Sequence, residues 1–334
     1  MTAVTVLSSE TVGDLATPAE YVDAVREAFV DRGHGAPAKP RTTLRNEEPK
    51  GMLTTYGAVL PSVGAMGGYM YSAGFGAGDA WFVTPLFDAE SGELLSLVDG
   101  AAMNPYKTGA AGGVAVDALS REDATSVAVF GSGPQARGQL KATAVVRDIE
   151  TVRVFSPTPE HREQFAREMD SYLDASVTAV EDSETAVREA DIVITSTTSP
   201  EPVFDGDHLS DGAHVTAMGQ YHPEKRELDT RTIERATYVP DLVERATQDA
   251  GAFIQALSEG AVTEEDIHGE LGSVLVGDVP GRTSEDEITV FDSGGTAIET
   301  VAGAYLLYEK AVDEGLGDTV DFSPASEGLT AKQV

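Results

Sequence analysis

Val127-Ala-Val-Phe-Gly-Ser-Gly-Pro-Gln-Ala136 is the stretch on which the fold turns. An apolar run enters a G-x-G-x-x-A turn, and a helical pattern over 134–147 follows. Gly131 permits the tight turn, Gly133 lets backbone approach a pyrophosphate, and Ala136 lets the helix pack close to the strand. The free N–H groups of the helix start, at the positive end of its dipole, suit phosphate oxygens. Alone the pattern is a weak signal, since other doubly wound domains carry glycine-rich turns. Its setting strengthens it, because strand, turn, helix and second strand come in the right order.

Downstream, short apolar runs alternate with helical patterns: Val152–Phe155, helix 159–173, Val177–Val180, Ile192–Thr195, Val215–Met218 and Ile288–Phe291. Continuous apolar runs suit strands covered on both faces, hence a parallel sheet with helices on either side. Gly294 and Gly295 then open a helix expected over 296–312, and from about Ser323 the chain reads as a solvated tail. Upstream, Tyr21, Val22, Val25 and Phe29 give Pro18 to Asp31 an amphipathic helical face. Strands are expected over Met52–Tyr56, Gly67–Ser72 and Trp81–Phe87, with Asp88-Ala-Glu-Ser-Gly92 turning a hairpin into Leu94–Val98. Thr108 to Leu119, rich in Ala and Gly, reads as a tightly packed helix leading into the parallel sheet.

Composition narrows the function. The 334 residues suffice for two domains, and 41% hydrophobic residues allow a normal core. No apolar run reaches the roughly 18 residues of a membrane span. Met1 to Glu10 lacks the basic start and apolar block of a secretory signal, so the chain reads as cytoplasmic. The formal charge of −33 repels nucleic acid and anionic lipid. The acids are spread along the chain rather than gathered in a tail, which suits a surface built for a high-salt cytoplasm, where the Debye length is about 3 Å at 1 M salt. With no cysteine there is neither disulfide nor thiol nucleophile, and the 6 histidines lack zinc-ligand spacing, so no metal is expected.

The second strand of the parallel series ends in Ser156-Pro-Thr-Pro, without the carboxylate that often binds a ribose 2′-hydroxyl. That leaves NADP or NAD as cofactor and leans to NADP. Arg162 is the cation within reach of a 2′-phosphate, an exposed helix arginine being the structural alternative.

Several separated motifs now coincide: Pro40-Arg41-Thr42, Asp99-Gly100 through Lys107-Thr108-Gly-Ala110, Gly131-Ser-Gly-Pro-Gln-Ala-Arg137, Met218-Gly219 through Lys225-Arg-Glu-Leu-Asp229, Pro280-Gly-Arg282 and Glu287-Ile-Thr-Val-Phe-Asp-Ser-Gly-Gly295. On these the chain resembles the ornithine cyclodeaminase/mu-crystallin family over about residues 8–313. The resemblance implies a Rossmann-type doubly wound α/β sheet over 118–295, plus an α+β domain of residues 1–117 and 296–334 that binds substrate and forms a homodimer. Family members include alanine dehydrogenases, reductases of cyclic imino acids, a cyclodeaminase that uses NAD+ catalytically, and relatives that serve mainly as binding proteins.

Residue by residue, the resemblance gives Arg41 and Lys107 the substrate carboxylate, with Gly294 beside the substrate. Lys107 stands where the family usually has arginine, so a cation is kept and the bidentate fork lost. The nucleotide falls to Thr108, Gly131, Gly133, Pro134, Gln135, Ser156, Thr195, Thr197, Met218, Gly219, Lys225 and Ser293. Two departures bear on chemistry. Tyr69 replaces a lysine that polarises the carbonyl or imine, and Tyr221 replaces an aspartate that serves the cyclodeaminase. Tyr69, Tyr221 and His222 are therefore the proton-shuttle candidates, against packing roles for each. The expected function is an NAD(P)-dependent oxidoreductase acting on the C–N bond of a small α-imino or α-amino acid. The rivals are a cyclodeaminase-type lyase with bound NAD+ and a non-catalytic NAD(P)-binding protein.

Overall fold

The computed structural model describes residues 2–329. Its strands are β1 (Thr2–Leu7), β2 (Thr42–Glu47), β3 (Lys50–Leu60), β4 (Ala65–Gly74), β5 (Asp79–Asp88) and β6 (Leu94–Asp99), then β7 (Ser126–Phe130), β8 (Thr151–Phe155), β9 (Ser176–Ala179), β10 (Ile192–Thr195), β11 (His214–Ala217), β12 (Ala236–Pro240) and β13 (Ile288–Asp292), and last β14 (Asp318–Phe322).

The strands β7 to β13 form one seven-stranded sheet, in the order β12-β13-β11-β10-β7-β8-β9, and every pair is parallel. β10, β11 and β13 are buried throughout, which accounts for their unbroken apolar sequences. The chain runs outward from β7 through β8 to β9, then returns to add β10 on the other side of β7. This reversal opens a crevice at the carboxyl ends of β7 and β10, next to the Gly131 turn.

The other sheet also has seven strands, ordered β14-β1-β6-β5-β4-β3-β2. All its pairs are antiparallel except β1 with β6. Its strands lie within 1–117 and 296–334, and those of the parallel sheet within 118–295. Helices Pro18–Gly33 and Ala297–Glu314 each begin with a capping box, Thr17 with Glu20 and Thr296 with Glu299. The helix Ala297–Glu314 packs on β3 and β4, so the C-terminal part does return to the first sheet.

Helix Asn104–Leu119 links the sheets by packing on helix Pro134–Val146. Their contact needs glycine: a Cβ at Gly109 would strike the Gly138 carbonyl, and one at Gly138 would strike that of Pro105. The Ala/Gly-rich sequence is thus a backbone-to-backbone seam. Four strands, β1, β2, β12 and β14, were not anticipated from the sequence. β2 is an edge with mostly exposed residues, β14 is exposed throughout, and β12 is five residues long. Among the described residues no helix is long and apolar enough to cross a membrane.

Candidate active site

The crevice at the parallel sheet fits a dinucleotide. Gly131 has φ +111°, and a Cβ there would run into the Ser196 carbonyl. Only glycine holds this turn without strain. Gly133 caps helix Pro134–Val146 with no side-chain hydrogen bond, and nothing lies within 4 Å of where its Cβ would stand. The helix start therefore keeps its donors and an open approach for an anion. Ser156, at the end of β8, lies 3.2 Å from the Ser132 hydroxyl, and its carbonyl accepts from Arg162 Nη1 at 3.0 Å. We expect Gly131→Val to weaken NAD(P)H binding more than tenfold with the fold retained, read by cofactor fluorescence titration; wild-type affinity would remove the turn from the nucleotide site.

Below the crevice lies a residue that sequence reasoning missed. Glu227, buried, accepts hydrogen bonds from Thr195 Oγ1 (3.1 Å), Thr197 N (2.6 Å) and Gly219 N (2.7 Å). It ties together the loops that leave β10 and β11, and Thr195 serves this bond from within the core. Burial pushes the carboxyl up to about 7, against the lowering by the Thr197, Gly219 and Thr195 hydrogen bonds. The unfolded chain loses this proton near the ordinary 4.5, so the stability tied to the group is full below that and lost as pH rises through about 7. A carboxyl resonance titrating near 7 in 13C-glutamate-labelled protein, and missing from Glu227→Gln, is the expected signature. Its absence would mean that the hydrogen bonds outweigh burial.

Between the two sheets the crevice widens into a cavity of about 380 Å³. Arg41, Tyr69, Lys107 and Thr108 line it from the segments before residue 118, and Gly133, Pro134, Gln135, Thr197, Met218, Gly219, Tyr221 and Gly294 from the loops of the parallel sheet. Arg41 is buried, with Nη2 donating to the Gly294 and Gly295 carbonyls, Nε 3.4 Å from Asp249 Oδ2, and the guanidinium 4.2 Å over the Tyr221 ring. Asp249 belongs to a larger buried cluster. Arg245 is gripped by Asp241, Asp249 and Asp292. Asp241 in turn accepts from Ser293 Oγ (2.8 Å) and Gly294 N (3.1 Å).

Lys107, 1% exposed, reaches Glu299 Oε1 at 3.3 Å and lies 4.9 Å over the Tyr69 ring. Burial pulls its ammonium below the ordinary lysine range, partly offset by Glu299. Tyr69 stacks on Phe82 with ring centroids 5.5 Å apart, and its hydroxyl has no hydrogen-bond partner among the described residues. Burial pushes its phenol well above the ordinary value, so it stays protonated.

The structure thus brings most of the expected residues to one cavity. It does not bring His222 or Lys225 there. His222 Nδ1 accepts from Glu224 N at 3.2 Å, and Lys225 is exposed. Both stand on the loop that follows Tyr221, and the carbonyls of His222 and Lys225 press on Gly251. Ser293 supports the cavity from behind through Asp241, and Ser156 stands at the far, ribose end of the crevice.

Fold and site together describe a two-sheet α/β protein whose glycine turn suits a dinucleotide and opens beside a cavity lined by Arg41 and Lys107. The chain belongs to the ornithine cyclodeaminase/mu-crystallin family, whose profile it matches over residues 3–315. It is 36% identical over 241 residues to a Delta(1)-pyrroline-2-carboxylate reductase of Bacillus cereus, covering 72% of this chain and 74% of that one. Among solved structures it is similar to the Thermococcus litoralis Delta(1)-pyrroline-2-carboxylate reductase in complex with NADH and L-proline, with TM-score 0.89, 32% identity and coverage of 95% and 100%. It is also similar to an archaeal alanine dehydrogenase dimer with bound NAD, with TM-score 0.90, 31% identity and coverage of 96% and 100%.

Proposed function

We propose that the protein is an NAD(P)-dependent oxidoreductase acting on the C–N bond of a small α-imino or α-amino acid, with imine reduction as its main direction. The observation that carries this reading is one cavity lined both by an open helix N-terminus and by two buried cations, Arg41 and Lys107. The related pyrroline-carboxylate reductases and alanine dehydrogenase are named for substrates with nitrogen and a carboxylate on one carbon. Met218 and Gly219 would hold a nicotinamide, which when bound would supply the hydride for the imine carbon. Arg41, held by the Gly294 and Gly295 carbonyls, meets the substrate carboxylate, and the Tyr56, Tyr69 and Phe82 rings exclude water. An imine reduction needs no strong base, which suits a cavity with Tyr221 at its rim.

Two observations bear on the cofactor. The end of β8 has no carboxylate and has Arg162 beside Ser156, which favours a 2′-phosphate. The two structural relatives bind NADH and NAD. Absorbance at 340 nm in about 2 M KCl, with NADPH and NADH offered separately against cyclic imino acids and pyruvate plus ammonia, tests the activity and chooses the cofactor. Silence across the panel, with cofactor still raising the Tm, would favour a binding protein. Tyr69→Phe is expected to lower kcat about fivefold, the worth of roughly 1 kcal/mol for one hydrogen bond; an unchanged kcat would leave Tyr69 a packing residue.

A homodimer fits the other face of the first sheet. Leu44 pairs with Leu53, Leu53 with Ser72, Ser72 with Trp81, and Met70 with Val83, so these side chains share one face. Trp81 is 69% exposed there, while its neighbours Ala80 and Phe82 point to the cavity. A contiguous apolar patch of this kind marks an interface, and the alanine dehydrogenase relative is a dimer. Trp81→Glu is expected to give monomers by light scattering. The charge of −33 further supports adaptation to molar salt, with Tm rising from about 0.1 to 2 M KCl as self-repulsion is screened; a flat curve would reject that.

A further inference from the structure

Tyr69 stands where a proton-moving lysine is expected, yet a lysine ammonium is present at the same place. The Lys107 side chain enters from the first turn of helix Asn104–Leu119 and puts Nζ 4.9 Å over the Tyr69 ring. Its one hydrogen bond among the described residues is to Glu299 Oε1, at a long 3.3 Å. Glu299 is fixed independently of it, since both its oxygens close the capping box with the backbone and hydroxyl of Thr296. The ammonium carries three protons, and Glu299 takes one. The substrate carboxylate has its own partner in Arg41.

We propose that Lys107 is the catalytic proton donor to the substrate nitrogen, rather than a second clamp on the carboxylate. This rests on the imine-reductase reading above. In the step, the imine nitrogen lone pair takes a proton from Nζ, so an N–H bond forms as Nζ–H breaks. A reduced nicotinamide, when bound, would supply hydride to the imine carbon, and the C=N π pair then becomes the lone pair of the amine nitrogen. The substrate is reduced to the amine and NAD(P)H oxidised to NAD(P)+. Neutral Lys107 then takes a proton from water.

The surroundings suit this role. Glu299 on helix Ala297–Glu314 and Asp241 after β12 raise the Lys107 ammonium, while burial and Arg41 lower it, and the outcome is lowered. The phenol ring of Tyr69 on β4 lies beneath the ammonium. A general acid works best with a pKa near the operating pH. Burial moves Tyr69 and Tyr221 the other way, upward, and His222 lies outside the cavity.

The test uses the full chain with cofactor. Wild-type kcat for imine reduction should fall as pH rises through a value below the ordinary lysine range. Lys107→Arg keeps the charge but holds its proton, so kcat should fall about a hundredfold or more, with KM within a fewfold and the alkaline limb gone. In the double variant Tyr69→Lys with Lys107→Arg, a lysine at 69 ends in the volume now held by the ring beneath Nζ, and turnover should return at least tenfold. A Lys107→Arg enzyme with near wild-type kcat and pH profile, or with only KM raised, overturns the proposal. A second readout needs no turnover. The chain has seven lysines, so the 13C-ε resonance of Lys107 can be assigned by its loss in Lys107→Arg. With cofactor bound, L-proline should shift its titration downward if Nζ faces the amine. An upward shift, as from a carboxylate, or none, overturns the assignment. A downward shift in a protein that reduces no imine would instead sink the reductase reading and leave the placement of Nζ standing.

Discussion

Arg245→Ala should destabilise the protein by about 3–5 kcal/mol, the usual effect of leaving buried charge unpaired. Arg245 is 1% exposed, and its guanidinium is shared by Asp241, Asp249 and Asp292, each 5% exposed or less. Deleting the arginine leaves three buried carboxylates with Arg41 as the nearest cation. Burial already holds Asp292 above the ordinary carboxylate range even with Arg245 present. The Tm should drop on the order of 10 °C, at roughly 2–4 °C per kcal/mol for a chain of this class. Measured in high salt, the loss should persist, because salt screens surface charge and reaches buried pairs much less. A change under about 2 °C would mean that the aspartates take up protons or water enters. The damage should extend to the site, since Asp241 holds Ser293 and Gly294, and Asp249 stands beside Arg41.

Arg41→Ala should raise the KM for the imino acid by about a hundredfold or more, as expected where truncating one partner of a buried charge pair costs roughly 2–5 kcal/mol. The guanidinium lines the cavity and is aimed by the Gly294 and Gly295 carbonyls and by the Tyr221 ring, so its orientation is set before substrate arrives. Cofactor affinity should stay within a fewfold, because the Gly131 turn and helix Pro134–Val146 lie on the other side of the cavity. Arg41→Lys should recover only part of the loss, as an ammonium lacks the planar fork that matches a carboxylate. A KM unchanged in Arg41→Ala would move the carboxylate to Lys107 and weaken the proton-donor assignment as well. Since Arg41 also holds the loop of Gly294 and Gly295, a Tm recorded alongside separates lost binding from a collapsed loop.

Much was legible in the sequence itself, for local reasons. The run Val127–Phe130, the turn at Gly131 and the helix from Pro134 are specified by neighbours in the chain, and the apolar texture of β10, β11 and β13 reports burial on both faces. The family resemblance pointed to Arg41, Lys107, Tyr69 and Tyr221, and the structure sets all four around one cavity. β2 and β14 stayed hidden because edge strands with exposed side chains carry no burial pattern; they exist through the neighbours they pair with. The residues that hold the site were equally silent. Glu227, Asp241, Arg245, Asp249, Asp292 and Glu299 read as ordinary members of an acidic chain with 56 Asp and Glu. Only the tertiary fold takes these few out of water. It sets Glu299 against Lys107 across 192 positions of sequence and Asp249 beside Arg41. Local sequence determined the strand–turn–helix that suits a nucleotide, because its hydrogen bonds and dihedrals are local. The tertiary structure decided which charges are buried and which cations line the cavity, because desolvation and charge pairing depend on what distant segments pack together.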